Sequence, residues 1–127
     1  MKEETNLWLK KAQEDLLAVT ILLQREDSPP AIICFHCQQA AEKFIKALLV
    51  EKGIDFPRTH DLTLLVENYL LRLDSAFNNL LKPAINLNEF SIITRYPDDP
   101  DEIDITVARG SYNDVLFIES IISKELK

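Results

Sequence analysis

Residues 32–53, IICFHCQQAAEKFIKALLVEKG, limit the fold more than any other stretch of the chain. At 3.6 residues per turn, Ile33, Cys37, Ala40, Ala41, Phe44, Ala47 and Leu48 fall on one side of a helix, and Cys34, Ile45 and Leu49 widen that side past a half-turn. An apolar arc of that width exceeds what one neighbouring helix can cover, so the spacing predicts a central helix packed against several others. Gly53 predicts its end, because glycine takes a positive φ at a helix terminus without steric cost. The remaining edge carries His36, Gln39, Lys43 and Lys46 at intervals of three and four, which projects them as one polar stripe. Such a stripe is either a solvated helix surface or the first candidate for function.

The flanking segments read as helices that cover this one. Over residues 4–25 the positions Trp8, Leu9, Ala12, Leu16, Val19 and Leu23 recur at three and four. Asp15 lies on the flank of that apolar arc, where a carboxylate needs a partner: a cation or backbone group of a neighbouring helix, or a place in a polar site. The break EDSPP is short, and helices joined so closely lie antiparallel. After IDFPRT, Thr59 or Asp61 caps a third helix with Leu62, Leu65, Val66, Tyr69, Leu70 and Leu73 facing inward. A fourth, over residues 75–94, uses Phe77, Leu80, Leu81, Ala84, Leu87 and Ser91 and reads as one element that Pro83 kinks. It leads into Arg95, Tyr96 and an acidic loop, DDPDEID. A last helix from near Asp104 presents Val107, Ser111, Val115, Ile118, Ile122 and Leu126.

These elements predict an all-α fold, an up-and-down bundle of four to five helices, in one domain over residues 1–127. Only 2 glycines and no run of alternating Val and Thr argue against a β-rich alternative. A net charge of −7 opposes a broad electrostatic grip on nucleic acid, so any such site must be local. Cys34 and Cys37 read as reduced core residues, since a single Cys-x-x-Cys inside a helix supplies neither four zinc ligands nor the loop beside a sheet that redox chemistry uses. No metal and no cofactor is expected. The polar opening MKEETNLWLKK and the lack of a long apolar run predict a cytoplasmic protein.

The run CFHCQQAAEKFIKALL (residues 34–49), then Gly53, RTHDL (58–62) and RYPD (95–98), resembles the HEPN domain family, and Trp8, Ala12, Asp15 and Leu16 extend the likeness into the first helix. The resemblance implies a helical bundle, often a homodimer, found beside minimal nucleotidyltransferase proteins in toxin-antitoxin-like pairs and credited with binding nucleotides or RNA. Its ribonuclease branch carries an arginine followed after four to six residues by a histidine near the start of the last helix. This chain departs from that pattern: His36 and His60 are its 2 histidines, and none follows Arg95 or Arg109. The expectation is therefore a noncatalytic domain with no catalytic residues, which binds a nucleotide or short RNA and acts with a nucleotidyltransferase partner. In that expectation Arg58 and Arg95 contact phosphate, His36 and His60 hydrogen-bond the ligand, Lys43 neutralises charge, and Tyr96 offers a stacking face.

Arg58 and His60 stand at the mouth of the third helix, where free backbone N–H groups can receive an anion; alternatively Thr59, His60 and Asp61 close a cap among themselves. Two other functions compete with the binding role. One is a metal-independent endoribonuclease with a nonstandard site of His36, Arg58, His60 and Arg95. The other is a ligand-free helical module for dimerisation or partner binding.

Overall fold

The computed structural model describes residues 1–91 and 103–127. Helix α1, Glu3–Leu23, opens with Glu3 and Glu4 at the positive end of its dipole. Helix α2, Pro30–Glu51, begins with proline in its first turn, where the missing N–H costs nothing. Past its end Gly53 adopts φ +70°, and Ile54 N–H donates back to the Leu49 carbonyl at 2.9 Å, closing the helix as its sequence predicts. The start of α1 lies against the end of α2: Lys2 N–H and the Thr5 hydroxyl both donate to Glu51 at 2.9 Å, so the two helices are antiparallel.

Helix α3 covers residues 62–73 and is α-helical at both ends, with a π-helical segment, Val66–Leu70, between them. A 3-10 turn, Ser75–Leu80, capped by the Asp74 carboxylate, runs into α4, Leu81–Asn88. The single kinked helix expected here is instead these two pieces, because Pro83 falls in the first turn of α4, where its missing N–H is tolerated and a helix starts afresh. Helix α5, Ile105–Glu125, is capped by Asp104, whose carboxylate accepts from Val107 N–H at 3.0 Å. No strand occurs among the described residues, and the fold is all-helical.

Everything packs on α2. Helix α1 covers one side and α5 another, while α3 and α4 close the third. All ten apolar residues placed on the α2 arc are buried. Helix α5 runs the same way as α2, with the Ser111 hydroxyl 3.4 Å from the Cys34 sulfur near the start of both. Burial pushes the Cys37 thiol pKa far up, with Cys34 and Asp114 adding to the effect, which suits an inert core thiol.

Three details depart from the helices that the sequence predicts. Leu73, assigned to the inner face, is 39% exposed, because a π segment spends more residues per turn and rotates everything after it away from a 3.6-residue register. In α5 the inner position of the first turn belongs to Ala108 and not to Val107, which is 41% exposed; residues 108, 111, 115, 118 and 122 keep the three-and-four spacing equally well. The fourth helix ends at Asn88, short of residue 94, and the Asn88 side chain turns back to α3.

Candidate functional site

Two polar clusters hang on the margin of α2, each built from one carboxylate, one lysine and one histidine. In the first, Asp15 of α1 accepts from Lys43 Nζ at 2.6 Å through one oxygen and meets His36 Nδ1 at 2.9 Å through the other. All three side chains are largely covered, with 12% of Asp15, 23% of Lys43 and 29% of His36 exposed. The partner that the flank position of Asp15 demands is thus supplied by α2, on which His36 and Lys43 lie seven residues, or two turns, apart along one edge.

The second cluster fastens the segment between α2 and α3. Glu42 accepts from Lys46 Nζ at 3.0 Å and meets His60 Nδ1 at 2.7 Å, again one partner per oxygen. Lys46 also donates to the Thr59 carbonyl at 2.9 Å, and Gln38 Nε2 donates to the His60 carbonyl at the same distance. The Lys46 ammonium lies 5.6 Å from the ring centres of both Trp8 and Phe56, close enough for their π faces to attract it. Here the ion pair is sealed, with 5% of Glu42 and 7% of Lys46 exposed, while 68% of the His60 side chain is open to solvent.

The amino terminus of α3 is occupied by its own neighbours. Leu64 N–H donates to the Asp61 carboxylate at 3.1 Å, Leu62 N–H to Asn88 Oδ1 at 2.8 Å, and Asp61 N–H to the Thr59 hydroxyl at 3.1 Å. The cap of side chains is therefore what forms there, and it engages the Leu62 and Leu64 backbone donors that an anion would use.

Of the residues singled out in the sequence, His36 and Lys43 meet on Asp15, and His60 is joined to the neighbouring Glu42. Arg58 is exposed and makes no hydrogen bond or ion pair among the described residues. Arg95 and Tyr96 lie outside the described residues. Nearby hollows have other linings: one of about 310 Å³ is bounded by Lys2, Glu4, Val50 and residues 53–56, another of about 300 Å³ by Glu4, Leu7, Trp8 and Lys11. Gln38 and Glu42 were not singled out, yet both were legible. On the wheel Gln38 falls between Ile45 and Leu49, inside the apolar arc, and Glu42 precedes Lys46 by the four residues that favour an ion pair.

The HEPN domain model matches residues 5–124. The chain belongs to the HEPN family. A similar curated protein is the one described as "Putative toxin MJ1304" of Methanocaldococcus jannaschii, 32% identical over 98 residues, which take in 72% of this chain and 62% of that protein. The chain thus spans less than two-thirds of that relative's length. Among solved structures, TT1696 from Thermus thermophilus is similar at a TM-score of 0.82 and 25% identity, covering 98% of this chain and 99% of the other. ST0689, described as an archaeal HEPN homologue, gives a TM-score of 0.77 at 23% identity over the whole of both chains, a likeness of fold. No helix among the described residues is long and apolar enough to cross a membrane.

Proposed function

We propose that this HEPN domain is a noncatalytic, cytoplasmic binder of a nucleotide or short RNA that works in a toxin-antitoxin-like pair with a minimal nucleotidyltransferase. The observation that carries the binding role is the exposed imidazole of His60, held by the buried Glu42 and standing two residues from the exposed Arg58. A fixed hydrogen-bonding ring two residues from a guanidinium that has no partner among the described residues offers a local phosphate and nucleotide corner on an otherwise acidic molecule. In this reading His36 and Lys43, which meet on Asp15 as a separate cluster, add further ligand contacts, although Lys43 must share its charge with Asp15. Arg95 and Tyr96 complete the proposed contacts as a second phosphate ligand and a stacking face. The name of the archaeal relative supports the paired role. The exposed Leu17 and Ile21 on the outer side of α1 support a homodimer.

Titration calorimetry with ATP, GTP and a short RNA tests the binding role. Heat of binding that Arg58→Ala abolishes is the expected result; silent titrations of all three at millimolar ligand remove the role. A second reading, a metal-independent endoribonuclease, is favoured by one feature: an imidazole oriented through Nδ1 by a buried carboxylate is how a general base is held. Cleavage of labelled RNA that is lost in His60→Ala would replace the noncatalytic reading.

A further inference from the structure

The hydrogen bonds around Glu42 determine more than the position of His60. A carboxylate has only acceptor oxygens to offer, and a lysine ammonium has only donors. With Lys46 on one Glu42 oxygen, the other oxygen faces His60 Nδ1 at 2.7 Å, and that contact is a hydrogen bond only if Nδ1 carries the proton. The neutral ring then has its lone pair on Nε2. The His60 carbonyl is pinned by Gln38 and the Thr59 carbonyl by Lys46, so the backbone that carries the ring is held on both sides.

We infer that Glu42, itself fixed by Lys46, is a positioning residue that locks His60 in the Nδ1–H form, so that the exposed Nε2 accepts from a ribose hydroxyl of the ligand while Arg58 takes the adjoining phosphate. This rests on the nucleotide-binding reading above and refines it, because a phosphate oxygen, which only accepts, has no place at a neutral Nε2 lone pair. The consequence is a preference for RNA over DNA of the same sequence at this corner, since the 2′-hydroxyl is the group the two differ by.

Two measurements on the full chain separate the parts. Long-range ¹H–¹⁵N spectra of the neutral protein read the tautomer of His60 with no ligand present. The expected result is a protonated Nδ1 in the parent chain and a shift toward protonated Nε2 in Glu42→Gln, whose amide can donate to Nδ1. A parent ring protonated at Nε2, or a tautomer unchanged in Glu42→Gln, overturns the positioning role. Because Gln keeps the size and polarity of Glu, the variant retains the fold, and the dispersion of its amide spectrum checks that.

The second measurement compares a short RNA, its DNA counterpart and inorganic phosphate. RNA should bind about fivefold more tightly than DNA, the worth of one net hydrogen bond, and His60→Ala should erase that margin. Phosphate alone should leave the Nε2 resonance unmoved. Equal binding of RNA and DNA, or a margin that survives His60→Ala, overturns the hydroxyl assignment. If neither nucleic acid binds, the functional reading falls and takes the hydroxyl assignment with it, while the spectra still decide the role of Glu42.

Discussion

The Asp15 and Glu42 clusters use the same three kinds of side chain, a carboxylate, a lysine and a histidine, and differ in how far each is covered. Asp15, Lys43 and His36 join two helices, and every member is mostly covered. Glu42 and Lys46 are buried instead, and the cluster opens at its histidine. The difference follows from what each carboxylate faces. Asp15 bridges α1 and α2, two rigid rods whose packing leaves a narrow polar margin. Glu42 faces a connecting segment with no regular structure, whose backbone carbonyls must find donors from somewhere. The first arrangement fastens helix to helix; the second fastens a loop and leaves a ring displayed on it.

The comparison breaks most visibly at Glu42. Replacing it with alanine leaves the Lys46 ammonium buried with one carbonyl and two aromatic faces, and removing one partner of a buried ion pair costs about 3 kcal/mol. Urea unfolding of Glu42→Ala should lower the midpoint accordingly, with the slope unchanged. A loss no larger than that of an exposed pair would mean that water reaches Lys46 and that the loop is not fastened as described. The corresponding change in the other cluster, Asp15→Ala, frees a lysine and a histidine that are both partly open to water. It should cost about half as much, roughly 1.5 kcal/mol. Equal losses at the two sites would erase the distinction between a sealed and an open ion pair.

How much of this was readable beforehand depended on whether an interaction is local in sequence. The α2 arc, the Gly53 stop, the Asp104 start and the antiparallel first pair all follow from spacing and punctuation, because each is decided within a few residues. The need of Asp15 for a partner was legible too, and only the identity of the partner was hidden, since Lys43 lies 28 residues away. Leu73 turned outward for a reason no 3.6-residue template contains, the π segment before it. Lys46 was the least predictable. A lysine in a Gln and Lys stripe reads as solvated surface, and its buried ammonium sits 5.6 Å from the rings of Trp8 and Phe56, residues that precede and follow it along the sequence. His60 could be picked out by residue type, but its orientation through Glu42 is a tertiary fact.

The histidines sharpen the same contrast at a smaller scale. His36 packs edge-on against Phe35 at 5.5 Å and holds Asp15, so His36→Ala should lower stability by about 1 kcal/mol. His60 is mostly exposed, and Glu42 keeps Lys46 when the ring is gone, so His60→Ala should cost less than about 0.5 kcal/mol while removing the proposed ligand contact. Thermal melts of the two variants side by side check the order. A more destabilising His60→Ala would make that ring a structural member of its cluster and reduce its claim as a displayed group.

A third carboxylate, Asp114 on α5, isolates what the lysine contributes. It is partly buried like Asp15, but among the described residues its support is a 3.3 Å hydrogen bond from Asn86 and an electrostatic attraction from Lys82. Burial dominates, and it pushes the Asp114 pKa above the usual aspartate value. The folded chain therefore holds this proton more tightly than the unfolded one. The stability it lends is present below the unfolded pKa and is lost as pH rises through the folded one, leaving a small penalty at neutral pH. Asp114→Asn removes the ionisable group, so it should stabilise the protein at pH 7 by roughly 0.3 kcal/mol, discounted for the solvent on its open side, and the gain should vanish in acid. Asp15→Asn, by contrast, should destabilise at pH 7, because there the lost charge is one that Lys43 was matching. Opposite signs for two partly buried aspartates would tie the difference to the lysine; like signs would make burial alone responsible.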